Sequence, residues 1–440
     1  MSLALLGLAP GDDPGGAGAA ASRHVSRKYL FLFDIVQVCT FVHVCVWFCT
    51  VQDTDQRDAS RVAAASTATR GFFLVAGIGM ASWAPMVPFA KAHLGLDDAQ
   101  LGLVLLCMGL GSTGAMPLAG YLSHRYGNRV VMAISGLLVC VALPLLTVAP
   151  SPILLGAALV GFGGSLGVLD VAMNAHAVDV ERLHGRPLMS GFHGLFSVGG
   201  LAGSAGMAAL LGAGAPLTTC AASVSVLLVV IVATQWKKVI VPVRDAAIAQ
   251  RSAFARPSGT AVLLGVLCTF VFLAEGAMLD WSAVFLRSAR DFALSGAGMG
   301  YAAFSIAMST GRLLGDRVTA VLGPLRIVRY GGLVAAAGLV VATAVPSGAA
   351  SLIGFVLVGL GASNIVPVLF SAAGRIPGTA PGISIATVTV LGYAGMLTGP
   401  AVIGLVAGVT SLSIALGGIA VLLVVVALCA SIVRRNTRAA

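Results

Sequence analysis

Charged and polar side chains inside apolar runs are the residues of this chain that could do chemistry. Residues 161–206, GFGGSLGVLDVAMNAHAVDVERLHGRPLMSGFHGLFSVGGLAGSAG, read as two apolar spans joined by a short basic turn. Asp170, Asn174 and His176 precede the turn and His193 follows it. A charge at the centre of a membrane-spanning helix costs roughly 2.5–3.5 kcal/mol, so such residues face a bundle interior or a watery cavity. Asp170 and Asn174 are four apart and share a helix face, a stripe that Ala177 and Glu181 continue. Glycines and Ser165 surround them and let neighbouring helices approach, so a polar pair that only joins two helices is the competing reading. His193 could pair with Asp170 or Asn174 across the hairpin, and its titration range suits proton coupling. A helix-joining His is the alternative there. His176, Asp179 and Glu181 read as polar groups at a loop end.

Glu275 sits in the middle of CTFVFLAEGAMLDWSAVF. A buried acid there suits a group that loads and unloads a proton, against a hydrogen-bonded structural Glu. Asp280 lies five residues further on, about 7–8 Å along the helix and about 140° around it, so the two carboxylates do not face one point. With Trp281 it suits an outer gate or an interfacial cap with an aromatic anchor. Asn364, in GLGASNIVPVLF, precedes Pro367, which removes a backbone hydrogen bond. Broken helices near the midplane line substrate sites. Trp83, with Pro85 and Pro88 nearby, either lines the same cavity and stacks on a sugar ring or packs in the core.

The elements that must position these groups are membrane helices. The 440 residues are 58% hydrophobic and only 10% charged, with mean hydropathy +0.99; soluble domains carry about a quarter charged residues. The glycines lie within apolar runs, as in membrane helices. Eight cysteines form no C-x-x-C pair and read as small buried hydrophobes. No nucleotide-binding loop, nucleophile elbow or zinc-ligand helix occurs, so neither an enzyme nor a cofactor is expected.

From residue 71 twelve apolar spans follow, near 71–90, 99–122, 129–148, 152–178, 188–213, 215–236, 259–286, 295–315, 325–345, 350–374, 382–408 and 411–433. Basic residues alternate across them. One side holds Arg57, Arg61, Arg70, Arg125, Arg129, Arg182, Arg186, Lys237, Lys238, Arg312, Arg317, Arg326, Arg329 and Arg375, together with those of the 237–257 linker and the C-terminus. The other has Lys91, Arg287 and Arg290. The positive-inside rule therefore puts the linker and the C-terminus in the cytoplasm. The net charge of +10 is on this reading a topology signal with lipid headgroups as contacts, and no nucleic-acid partner is expected.

The expected organisation is an N-terminal extension 1–70, a six-helix half 71–236, a linker 237–257 and a second six-helix half 258–440. The extra apolar segment 29–51 is long enough to span but lacks Gly and Ala, and it would place Arg23, Arg27 and Lys28 outside. We expect it not to belong to the working protein, with initiation near Val51 or later. An intact mass matching all 440 residues would sink that idea. Cys39 and His43 share a helix face there while Cys45 and Cys49 point elsewhere, so no metal site is expected.

After the second span, Gly120-Tyr-Leu-Ser-His-Arg125-Tyr-Gly127-Asn-Arg129 resembles the cytoplasmic 2–3 loop signature of the major facilitator superfamily. His124 stands where that family usually has Asp. Gly311-Arg-Leu-Leu-Gly-Asp316-Arg317, with Gly323, reads as a looser copy that keeps the acid. The resemblance implies ion pairs at helix ends that steady the outward-open state. Asp170-Val-Ala-Met-Asn174-Ala-His176, Phe192-His193-Gly194 and Glu275-Gly276-Ala-Met-Leu-Asp280-Trp281-Ser282 are similar to the branch containing fucose permease and its bacterial relatives. That branch implies a fourth-span carboxylate in proton coupling, for which Asp170 is the match.

The reading is an all-α membrane protein of twelve helices in two six-helix halves, resident in the plasma or inner membrane and working as a monomer. Its function is secondary transport of a small polar solute such as a sugar, by proton symport. A proton-antiport exporter of drugs or metabolites is the alternative, and a non-transporting membrane sensor a more distant one.

Overall fold

A chain in a bilayer satisfies its backbone only as helices or a closed barrel, and among the described residues all regular structure is helical. The computed structural model describes residues 58–96, 98–240, 257–292 and 298–433. The segment 29–51, the start near Val51, residues 241–256 of the linker and the C-terminal arginines lie outside the described residues.

The first half holds α1 (Asp58–Ser82), α2 (Val87–Leu94), α3 (Asp98–Tyr126), α4 (Asn128–Leu145), α5 (Pro152–His184), α6 (Met189–Gly212) and α7 (Leu217–Gln235). The second holds α8 (Gly259–Arg290), α9 (Met299–Leu322), α10 (Pro324–Ala344), α11 (Gly348–Ala362), α12 (Ile365–Gly374), α13 (Pro381–Val409) and α14 (Leu412–Leu428). Helix α1 starts well before the expected Gly71, so Arg61 and Arg70 belong to the helix and not to a leader. The first span is broken at Ala84–Met86, where Pro85 and Pro88 remove two helical donors.

Eleven described helical stretches are long and apolar enough to cross a bilayer. Helix α9 supplies the twelfth span; Arg312, Asp316 and Arg317 depress its hydropathy. The same pairings recur in both halves: α3 on α5, α1 on α6 and α4 on α7, then α9 on α11, α8 on α13 and α10 on α14. The repeat extends to the backbone. One residue, Gly127 (φ 80, ψ 151), joins α3 to α4, and one residue, Gly323 (φ 78, ψ 157), joins α9 to α10. Both take a conformation that glycine tolerates best. Close approach of helices also needs glycine: a Cβ at Gly163 of α5 would be driven into the Met108 carbonyl of α3.

Both junction glycines, the end of α5, the end of α12 and the start of α13 lie at one end of the bundle, with Arg125, Arg182, Arg186, Arg317 and Arg375. We call this the basic end. The halves meet from here to the middle of the bundle, through α6 on α9, α3 on α13, and α12 and α13 on α5.

Candidate functional site

Midway along α8, Glu275 accepts two hydrogen bonds from Nη2 of Arg312, each 3.1 Å long. Arg312 is mid-helix in α9 and its side chain is only 9% exposed. It is therefore not the loop cation that the sequence pattern implied; a planar guanidinium in the membrane interior needs partners for its whole fork. It has them. Nη1 donates to Ser197 Oγ of α6 at 3.2 Å, and Nε donates to the Ser363 carbonyl at 3.4 Å. That carbonyl is the one left without a helical donor four residues before Pro367. The proline expected to break the tenth span does so, and its span divides into α11 and α12 at Ser363–Asn364.

On the first half, Asn174 Nδ2 donates to the Asp170 carbonyl at 2.9 Å and to Asp170 Oδ1 at 3.3 Å. This orients the amide so that Asn174 Oδ1 faces His193 Nε2 at 3.1 Å, and the imidazole carries its proton on Nε2. Phe73 of α1 and Phe370 of α12 hold the His193 ring edge-on from either side. One turn along α6, Ser197 Oγ donates to the His193 carbonyl while accepting from Arg312. A continuous polar path thus runs Asp170–Asn174–His193–Ser197–Arg312–Glu275, crossing from one half to the other.

Four of the expected site residues, Asp170, Asn174, His193 and Glu275, stand in this path. Asn364 adjoins it: its Nδ2 donates to the Gly311 carbonyl and to Ser363 Oγ, both at 2.9 Å. Asp280 is exposed, further along α8. Trp83 is buried and lines a separate cavity of about 270 Å³ with Met86, Leu146 and Leu155, within the first half. Arg312, expected among the loop cations, and Ser197 were not among the expected site residues. An arginine inside a run otherwise rich in Gly, Ala and Met was the available signal for the first.

A second cluster closes the basic end. Glu181 is not a loop-end group but buried, accepting from the Leu188 and Met189 amides at 2.9 and 3.0 Å and pairing at 2.5 Å with Arg375, which caps the C-terminus of α12. Arg182 donates to the Gly374 carbonyl. Asp316 Oδ2 accepts from the Gly191 amide of α6 at 3.0 Å, so acids from both halves sit on the α6 N-terminus, where the helix dipole favours negative charge. Counted back from the junction glycines, Asp316 is the counterpart of Gly120, and the place of His124 is taken by Ala320. Asp316 is thus one turn deeper than a copy of the loop signature would put it. Gly120 itself approaches Gly382 of α13. Arg125 and Arg317 are exposed, and Arg129 donates to the Val239 carbonyl at 2.9 Å. His176 is also fully buried, held between Thr69 Oγ1 at 2.9 Å and the Ile240 amide at 3.1 Å. That amide can only donate, so Nε2 accepts and the ring proton sits on Nδ1.

Among the described residues no group of His, Cys, Asp and Glu is arranged to hold a metal. The Major Facilitator Superfamily profile matches residues 71–394. The chain is 48% identical to an uncharacterized MFS-type transporter of Yersinia pestis, over 83% of this chain and 95% of that one. It is 34% identical to the membrane protein MosC of Rhizobium meliloti, over 83% and 89%. Among solved structures, the E. coli fucose:proton symporter FucP superposes with TM-score 0.65 at 15% identity, covering 84% of this chain and 98% of FucP.

Proposed function

The chain belongs to the major facilitator superfamily and is a multi-pass membrane transporter; on that premise we propose that it moves a small polar solute together with a proton. The observation that carries this reading is the Glu275–Arg312 pair, buried at mid-membrane and tied to the opposite half through Ser197. Protonation of Glu275 removes the charge that holds Nη2 of Arg312. The freed guanidinium then turns to solute hydroxyls, and the link that Nη1 makes to Ser197 of the opposite half is loosened with it. Loading a proton and rearranging the helices become one event, which is what coupling requires. Asp170 and His193 stand at the other end of the same path and serve as a second station for the proton. The cluster of Glu181, Arg375, Asp316 and Arg182 closes the basic end, and the charge bias of the loops supports a cytoplasmic position for that end. Opening it while closing the opposite end would carry the solute across, as expected for two packed halves around a midplane site.

FucP shares the fold and is a fucose:proton symporter, which makes sugars the first solutes to try. The test is purified protein in liposomes loaded with a pH dye, challenged from outside with sugars, sugar acids and cationic drugs. Symport predicts lumenal acidification with a sugar, and its loss in Glu275→Gln while exchange of that sugar across the membrane persists. Proton flow of opposite sense, driven only by drugs, would replace symport by export. Unchanged gradient-driven accumulation in Glu275→Gln would remove this residue from the mechanism.

A further inference from the structure

Outside the transport path, one membrane-facing feature stands out. Helices α3 and α4 diverge from Gly127 at the basic end, and α5 packs against both of them along their length. The wedge between α3 and α4 is an open apolar groove of about 610 Å³. Its walls include Leu122, Val130, Ile134 and Leu138, and its floor is the small-residue face of α5 at Gly161 and Ser165. From Val130 to Leu145 it runs about 22 Å at 1.5 Å per residue, more than the roughly 15 Å of one leaflet's hydrocarbon. At the apex the exposed ring of Tyr126 lines the groove, and the Arg125 guanidinium lies 5.6 Å from that ring with Nε donating to the Tyr126 hydroxyl. Arg125 is itself exposed, and the groups that face it are the Tyr126 and Tyr121 side chains.

An apolar trough that opens to lipid and ends in a cation flanked by a tyrosine matches one chemistry, an acyl chain with an anionic head. We propose that this groove seats an anionic phospholipid of the leaflet at the basic end, its acyl chain along α4 and its phosphate on Arg125. The position explains why α5 presents small residues here: a Cβ at Gly161 would meet nothing within 4 Å, so the helix leaves space that no protein atom fills. A lipid held there would bear on α5, whose opposite face carries Asp170 and Asn174.

The test is native mass spectrometry of the full chain in detergent, titrated with dioleoyl phosphatidylglycerol or dioleoyl phosphatidylcholine. The expected result is tighter retention of the anionic phosphatidylglycerol. Arg125→Gln should weaken it about fivefold, the effect of one basic residue at an anionic surface, and Arg125→Lys should preserve it. Gly161→Leu places a side chain in the groove from a Cβ position that meets no protein atom within 4 Å, and should release both lipids. Ser165→Leu, whose hydroxyl bonds only the Gly161 carbonyl of its own helix, repeats that test if Gly161→Leu does not elute as a single species. Equal retention in all variants overturns the proposal. So does loss with Arg125→Gln but not with the groove-filling variants, which would make the contact a headgroup only. Conversion of a dimer to a monomer by the filling variants would also overturn it, by assigning the groove to a second copy of the chain.

Discussion

Replacing Glu275 by Gln, Arg312 by Met, and then both together, tests whether the midplane pair is the buried device that the transport reading needs. At 3.1 Å two unit charges attract by about 5 kcal/mol at an effective dielectric of about 20. The side chains are 16% and 9% exposed, so little water is present to screen them. Removing one partner of such a pair leaves the other charge buried and uncompensated, a loss of about 3–5 kcal/mol. Glu275→Gln should fall at the lower end, because a Gln oxygen still accepts one bond. Arg312→Met should fall at the upper end, because Ser197 Oγ and the Ser363 carbonyl also lose their donor. The double variant leaves no orphan charge, so its cost should be about 2–3 kcal/mol less than the sum of the singles. Reversible unfolding in mixed detergent micelles reads the cycle, and proton-driven uptake in liposomes reads the function. Uptake should be absent in all three, so that regained stability in the double variant separates folding from transport. Additivity within about 0.5 kcal/mol would mean that the charges are independent and screened, and the coupling device would be refuted.

Glu181→Gln should loosen the basic end. Its side chain is 3% exposed and holds Arg375 as well as two amides, and a loss of about 3 kcal/mol would shift a closed–open balance about a hundredfold. A cysteine placed at buried Ser190 should then react with maleimide at least about ten times faster, and an unchanged rate would remove the pair from the gate. Pro367→Ala should return an N–H to the Ser363 carbonyl and compete with Arg312 Nε for it. The expected outcome is a more stable protein with slower proton-driven uptake; a fall in stability would show that the proline is needed by the fold itself.

Long apolar runs and the alternation of basic loops made the twelve spans legible, because hydrophobic length is a strong and local signal. Asp170, Asn174, His193 and Glu275 were legible for the complementary reason: polar groups in such runs have few innocuous explanations. Arg312 was misplaced because the charge that the proposed mechanism uses also lowers the hydropathy of α9, so it was counted with the loop cations. Glu181 and His176 were taken for loop ends because α5 continues helical to His184, beyond the apolar run that marked its length. Which cation meets which acid depends on how helices dock: Glu181–Arg375 joins the two halves, Glu275–Arg312 joins α8 to α9 within the second, and no periodicity reports either.

Three local rules are broken at the centre of the molecule: a proline inside a span, an arginine in the membrane interior, and a glutamate beside it. Each alone would cost several kcal/mol. Together they cancel, since the carbonyl freed by Pro367 takes Arg312 Nε, Glu275 takes Nη2, and Ser197 takes Nη1. Ser363, which supplies that carbonyl, also accepts at its Oγ from Asn364 Nδ2, and the same amide donates to the Gly311 carbonyl of α9. On the proposed mechanism the mutual dependence makes the site a switch, because protonating the Glu275 carboxylate unbalances the rest. A rigid apolar core of the same volume would hold the halves together equally well, but nothing in it would respond to a proton. Local inconsistencies that compensate one another mark functional sites more often than structural ones, and here they converge on the atoms that link the two halves.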